Sequence, residues 1–187
     1  MNREEAYKIL TQHLQNKNLI KHSLASEAAM KGLCVYLNPN ATENQIEKWG
    51  IAGLLHDGDY EDTANTPERH GLLITEQVEL PADIAYAINS HNFHNTKIEP
   101  KSAMDWALTS SETLTGLIVA CALVHPDKKL EPLTPEFVLK RFGEKAFAKG
   151  ADRATIQLCE DKLNIPLPKF IEIVLDSMKS ISPDLGL

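Results

Sequence analysis

The chain is short of thiols, of basic runs and of long apolar runs, and each shortage removes a class of function. Its three cysteines, Cys34, Cys121 and Cys159, are far apart and contain no C-x-x-C pair. That pattern excludes a disulfide framework and a thiolate zinc site, and it fits reduced, intracellular thiols. There are 19 Lys+Arg against 26 Asp+Glu, so the formal charge is −7 with all seven histidines neutral. Duplex nucleic acid and anionic lipid need clustered Lys/Arg, so neither is expected as a partner, although a local basic pocket for one small anion is still allowed. The longest uninterrupted apolar run, Leu117 to Val124, is too short to cross a bilayer, and the start, Met1-Asn2-Arg3-Glu4-Glu5, has no apolar leader segment. A cytoplasmic location is the expectation. The serine-hydrolase elbow, the Walker phosphate loop, the H-E-x-x-H zinc motif and the dinucleotide G-x-G-x-x-G are also missing.

What remains is a globular composition, 43% apolar and 24% charged, in a chain long enough to build one core. The apolar periodicity is helical almost throughout, which predicts an all-α, single-domain helical bundle. Helices are expected over about 3–16, 19–37 (ended by Asn38-Pro39-Asn40) and from a Thr42/Gln45 capping box to near Gly58. Others are expected to start at Thr66-Pro67, at Pro81-Ala82-Asp83 and at Thr134-Pro135, with a long one over 101–124 and two near 152–163 and 168–180. Residues 92–100 read as a connector. No linker or repeat divides the chain, so residues 1–187 form one domain, with a core motif region of about 18–125 and a helical extension of about 126–181. Residues 182–187 are expected to fray.

The most informative local feature is His56-Asp57, which follows the apolar Leu54-Leu55 and precedes Gly58. At a helix end released by glycine, two adjacent side chains can converge on one ion. Taken alone, the doublet fits better as a helix terminus, with the imidazole meeting the helix dipole and the carboxylate capping the next turn. Its company matters: His22, His91 and Glu112 lie on three other helical segments, and such positions can meet in the core of an antiparallel bundle. Imidazole plus carboxylate without thiolate suits a divalent ion such as Mn²⁺, Fe²⁺, Zn²⁺, Ni²⁺, Co²⁺ or Mg²⁺. Asp57-x-Asp59-x-Glu61 faintly imitates a calcium loop, but Asp62 stands where that loop needs glycine, so Glu61 and Asp62 read as a solvated acidic loop.

The ordered set Lys21-His22-Ser23-Leu24-Ala25, Gly53-Leu54-Leu55-His56-Asp57 and Ser111-Glu112-Thr113-Leu114-Thr115-Gly116-Leu117 resembles the HD-domain superfamily of metal-dependent phosphohydrolases. Within it the chain looks most like small uncharacterised bacterial members. Their doublet segment resembles Leu55-His56-Asp57-Gly58-Asp59-Tyr60-Glu61, and they carry segments like Ala87-Ile88-Asn89-Ser90-His91-Asn92 and Lys145-Ala146-Phe147-Ala148-Lys149-Gly150. The resemblance implies an all-helical hydrolase whose metal is held by His22, His56, Asp57 and Glu112. Glu112 stands where the family has aspartate, and Asp105 is a poor substitute two turns away.

The implied reaction is hydrolysis of a phosphomonoester or phosphodiester in a nucleotide or related small phosphorylated metabolite. Asp57 would orient the attacking water, and Asp59 or His91 would protonate the leaving oxygen. Asp59 can instead orient a ligand histidine. His70 falls where some members place an extra histidine for a second metal, and His91 can belong to that set. His94 reads as a loop residue, and His13 and His125 as structural. Lys21, Arg69, Lys97 and Lys101 are the candidate phosphate-binding cations. The alternatives are a non-catalytic HD-fold binding module with a degenerate site, and a structural helical domain in which the histidines never meet.

Overall fold

Side-chain caps set where the helices of this chain begin. In the computed structural model, which describes all 187 residues, Asn2 and Glu5 form a capping box at the start of α1 (Arg3–His13). Asn16 accepts from Asn18 N to open α2 (Lys17–Leu37), and Thr42 with Gln45 closes the expected capping box on α3 (Glu43–Leu55). The short α4 (Tyr60–Thr63), a single 3-10 turn at Pro67–Arg69 and α5 (Leu73–Gln77) lead to α6 (Ala82–His91) and α7 (Phe93–Thr96). Ser102 and Asp105 cap the long α8 (Ala103–Val124). It is followed by α9 (Pro135–Gly143), α10 (Arg153–Leu163), α11 (Leu167–Lys179) and α12 (Ser182–Leu185). There is no strand, and the architecture is the all-α bundle that the periodicity predicts.

Several boundaries differ from the sequence expectation for physical reasons. Thr66-Pro67 opens only a 3-10 turn, because Gly71, at φ +87°, ends it almost at once and α5 begins at Leu73. The connector over 92–100 contains α7, which stops at Lys97 in a left-handed conformation. Residues 182–185 form α12, held by Leu185, which is buried in the core. Gly58 is not left-handed; its role is space, since a Cβ there would lie 3.1 Å from both Ile74 Cγ1 and Cδ1.

Helices α2 and α8 are the central pair. α2 packs on α3, α8 and α11, and α8 also touches α6, α9 and α10. One apolar cluster runs from Ala6 in α1 to Leu185 in α12, so the C-terminal helices share the core with the motif-bearing ones. By length and composition α8 is the one helix apolar enough to cross a membrane, but 61% of its apolar window is buried inside the protein. Its mean hydropathy comes from serving as the core helix. The buried Glu27 carboxylate of α2 accepts from Arg3 Nε (2.6 Å) and Nη2 (3.0 Å), which fastens α1 to the central pair.

The α2–α3 contact is the most extensive in the fold. A Cβ built on Gly53 would lie 2.5 Å from Ser26 O and 2.9 Å from Glu27 N, both backbone atoms that cannot swing aside. Gly53→Ala must therefore push α3 away from α2. Overpacking of this kind costs about 1–3 kcal/mol. A urea-denaturation midpoint should fall accordingly, and an unchanged midpoint would show that the two helices are not in backbone contact.

Candidate metal centre

Four histidines from four separate segments converge between α2, α3, α6 and α8, and each is oriented through its Nδ1. His56, just after α3, donates to Gly53 O at 2.7 Å, and His91, the last residue of α6, donates to Ile88 O at 2.6 Å. Carbonyls only accept, so these bonds fix the Nδ1–H tautomer and leave a lone pair on each Nε2. His22 on α2 meets Thr115 Oγ1 at 3.2 Å, and that hydroxyl already donates to Glu112 O at 2.7 Å, so His22 is the donor there too. His70, in the turn before α5, meets Asp59 Oδ1 at 2.9 Å.

All four Nε2 atoms consequently face inward. His22 Nε2 lies 3.3 Å from His56 Nε2, and His70 Nε2 lies 3.1 Å from His91 Nε2. Asp57 sits between the pairs, with Oδ2 3.4 Å from His22 Nε2 and Oδ1 3.3 Å, 3.1 Å and 3.9 Å from those of His56, His70 and His91. Glu112 Oε2 is 3.9 Å from His22 Nε2, so the longer side chain still reaches the cluster. Two sets of donor atoms, His22/His56/Glu112 and Asp57/His70/His91, each fall within 4.8 Å of one another and could hold a metal ion. The donors fit a cation, because lone pairs that face each other at hydrogen-bond distance repel unless positive charge lies between them.

The protonation pattern follows from the same geometry. Burial pulls His56 down to about 4 and His91 down to about 3, so both stay neutral and keep their lone pairs at pH 7. Burial also lowers His70, but hydrogen bonds to Asp57 and Asp59 outweigh it and hold the imidazole at about 9. Burial, helped by the Asp57 charge, raises Glu112 to about 8. For Asp57, burial is outweighed by the surrounding imidazoles, His56 first, and the carboxyl is held far below the usual range.

Of the expected site residues, His22, His56, Asp57, His91 and Glu112 are brought together, and His70 joins them. Asp59 is buried, and its carboxylate accepts from Gly71 N, Ile74 N and His70, so of its two expected roles the geometry supports orienting a ligand histidine. It has no face toward the cavity from which to protonate a leaving group. His91 has Nδ1 fixed to a carbonyl and Nε2 in the cluster, and it also lines the cavity. Asp105 caps α8 through Lys101 N and Ser102 N. Glu61 is not merely solvated: it accepts from Gln15 N and Asn16 N and anchors the α1–α2 connector. His125 pairs with Asp127 beyond the far end of α8.

The cluster forms the floor of an open cavity of about 550 Å³, whose upper walls include Tyr60, Asn92, His94, Asn95, Asp152 and Thr155. His94 therefore belongs to the site surroundings, contrary to its reading as a bystander. Thr115 was also overlooked, although it lies three residues after Glu112 and so on the same helical face. None of the four candidate cations lines this cavity. Arg69 pairs with Glu76, Lys97 bonds His94 O, Lys101 lies over the Tyr86 ring, and Lys21 lines an adjoining recess with Gly186 on the other side of His22.

A cation entering the cluster must displace the protons on His70 and Glu112. Their values of about 9 and about 8 place both groups in the protonated state at pH 7. Metal binding at pH 7 is expected to release about two protons per chain, and apparent affinity should rise with pH up to about 9. Calorimetry in buffers of different ionisation enthalpy reads this directly; binding heats independent of buffer would contradict it. Comparison of the chain with protein-family models, with curated proteins and with solved structures finds no match, so the site stands on its own geometry.

Proposed function

We propose that this chain is a metal-dependent hydrolase of phosphomonoester or phosphodiester bonds in a small phosphorylated metabolite or nucleotide, of the HD type that its sequence resembles. The supporting observation is the position of Asp57. One carboxylate lies within 3.9 Å of all four inward-facing imidazole nitrogens and links the two donor sets. That arrangement suits two divalent cations, with His22, His56 and Glu112 holding one, His70 and His91 the other, and Asp57 shared. Cations held there would acidify water and neutralise charge developing on a phosphoryl group.

The chain's own residues do the rest. Gly53 O, Ile88 O, Thr115 and Asp59 keep the imidazoles aimed, so no reorganisation is needed when a substrate arrives. Burial of Asp57 and His56 excludes bulk water from one side of the centre, and the open cavity admits the ester from the other. No lysine or arginine faces the cavity, so the bound metal is the counter-charge for the phosphoryl group. The buried cysteines and the absence of a basic run fit a cytoplasmic enzyme. The lack of a cationic side chain equally favours a second reading, a module that holds metal and ligand without turnover.

The test is metal content and turnover in His56→Ala and Asp57→Asn beside the unmodified chain, with Mn²⁺, Mg²⁺, Co²⁺ or Ni²⁺ supplied. Loss of bound metal and a fall in phosphatase or phosphodiesterase rate of at least about a hundredfold are expected for both variants. Full activity in either would overturn the assignment. Metal binding by the unmodified chain without turnover of any ester would favour the second reading.

A further inference from the structure

We propose that the wall made by α7 and the start of α10 selects a substrate with a single phosphoryl group on an uncharged, hydroxyl-bearing body, and rejects one that carries a second anionic group. This rests on the phosphoester reading above. The wall is built from hydrogen-bond acceptors. Asp152 Oδ1 accepts from Ala154 N (2.9 Å) and Thr155 N (3.3 Å), and Oδ2 accepts from Thr155 Oγ1 (2.8 Å), which leaves a lone pair of Oδ2 unused. The Thr155 proton is engaged there, so in its long contact with His94 Nε2 (3.5 Å) the hydroxyl accepts. Asn95 Nδ2 donates to Asn92 Oδ1 at 2.7 Å, so the Asn95 side-chain carbonyl oxygen is a second acceptor on the same wall.

Acceptors call for donors on the ligand, and hydroxyl groups supply them. A second phosphate or a carboxylate would instead meet the Asp152 charge with no compensating cation. The one guanidinium nearby is unavailable: Arg153 donates to Phe142 O (3.4 Å), Ala148 O (2.6 Å) and Ala151 O (2.7 Å) and also to Phe147 O, which pins the loop before α10. The segment is further anchored by Asp152 N donating to Thr113 Oγ1 at 3.1 Å, next to Glu112. The discriminating wall is thus rigidly tied to the helix that carries the metal-facing carboxylate. A cavity of about 550 Å³ is in the range that small metabolites occupy.

The experiment compares glycerol phosphate with phosphoglycerate, in which a carboxylate replaces one hydroxymethyl group, and with phenyl phosphate, which has no hydroxyl on its body. Each is tested on metal-loaded protein by calorimetric binding and by turnover, in the unmodified chain and in Asp152→Asn. Asparagine keeps the helix cap, so the fold is retained. The unmodified chain should bind glycerol phosphate at least about tenfold more tightly than phosphoglycerate. Asp152→Asn should narrow that ratio and raise KM for glycerol phosphate with little change in kcat, while leaving phenyl phosphate unaffected. Equal or tighter binding of phosphoglycerate by the unmodified chain, or an equal effect of the variant on all three ligands, would overturn the proposal. If no ester is turned over, the hydrolase reading fails, and the binding ratio still decides the proposal about the wall.

Discussion

His22, His56, His70 and His91 each give Nδ1–H to a fixed acceptor, a carbonyl three residues back for His56 and His91, Thr115 for His22 and Asp59 for His70, and the rest of the site depends on that set of bonds. A neutral imidazole has one donor and one acceptor nitrogen, so committing Nδ1 outward sends a lone pair inward. Repeated around one carboxylate, this aims ring nitrogens at Asp57 from four sides and favours a cation there. In the absence of one, protons take its place: His70 is held protonated between Asp57 and Asp59, and Glu112 keeps its proton because it is buried near the Asp57 charge. The protein thus tolerates the cluster by neutralising it, at a cost that metal binding removes.

The fold supplies the acceptors through backbone approach more than through special side chains. Gly53 lets α3 lie against the backbone of α2, which brings His56 to His22 while the Gly53 carbonyl orients the ring. Gly71 plays the matching part on the other side. Its positive φ of 87° turns the chain so that its N–H bonds Asp59, and a Cβ there would lie 2.9 Å from the His91 ring. The long, apolar α8 brings Glu112 and Thr115 to the cluster, with Thr115 buried and Glu112 half-buried on the cavity wall, where the nearby Asp57 charge adds to the shift of its carboxyl.

Much of this was legible in the sequence, and the parts that were not share a cause. The helices declared themselves through caps and periodicity: Thr42 with Gln45, and the apolar face of 101–124, gave boundaries close to those found. The doublet His56-Asp57, with His22, His91 and Glu112 at separate helical positions, named most of the cluster. What sequence could not convey was the direction of each polar atom. Asp59 looked equally suited to proton transfer and to support, and only the bonds from Gly71 N and Ile74 N show that its oxygens turn into the protein. His94 looked like a bystander beyond a helix end, because nothing local reveals that α10 will bring Asp152 and Thr155 beside it. The four basic residues near the motifs in sequence find partners away from the cavity, a matter of tertiary contacts alone.

Nitrogen-detected NMR of the histidine rings reads the tautomer and direction of the four imidazoles most directly. In metal-free protein near neutral pH, His56 and His91 are predicted to show the Nδ1–H form with an unprotonated Nε2, and His70 to carry both protons. Addition of a divalent cation should move the Nε2 resonances of all four and remove one proton from His70. Nε2–H tautomers at His56 and His91, or Nε2 resonances unmoved by metal, would contradict the account.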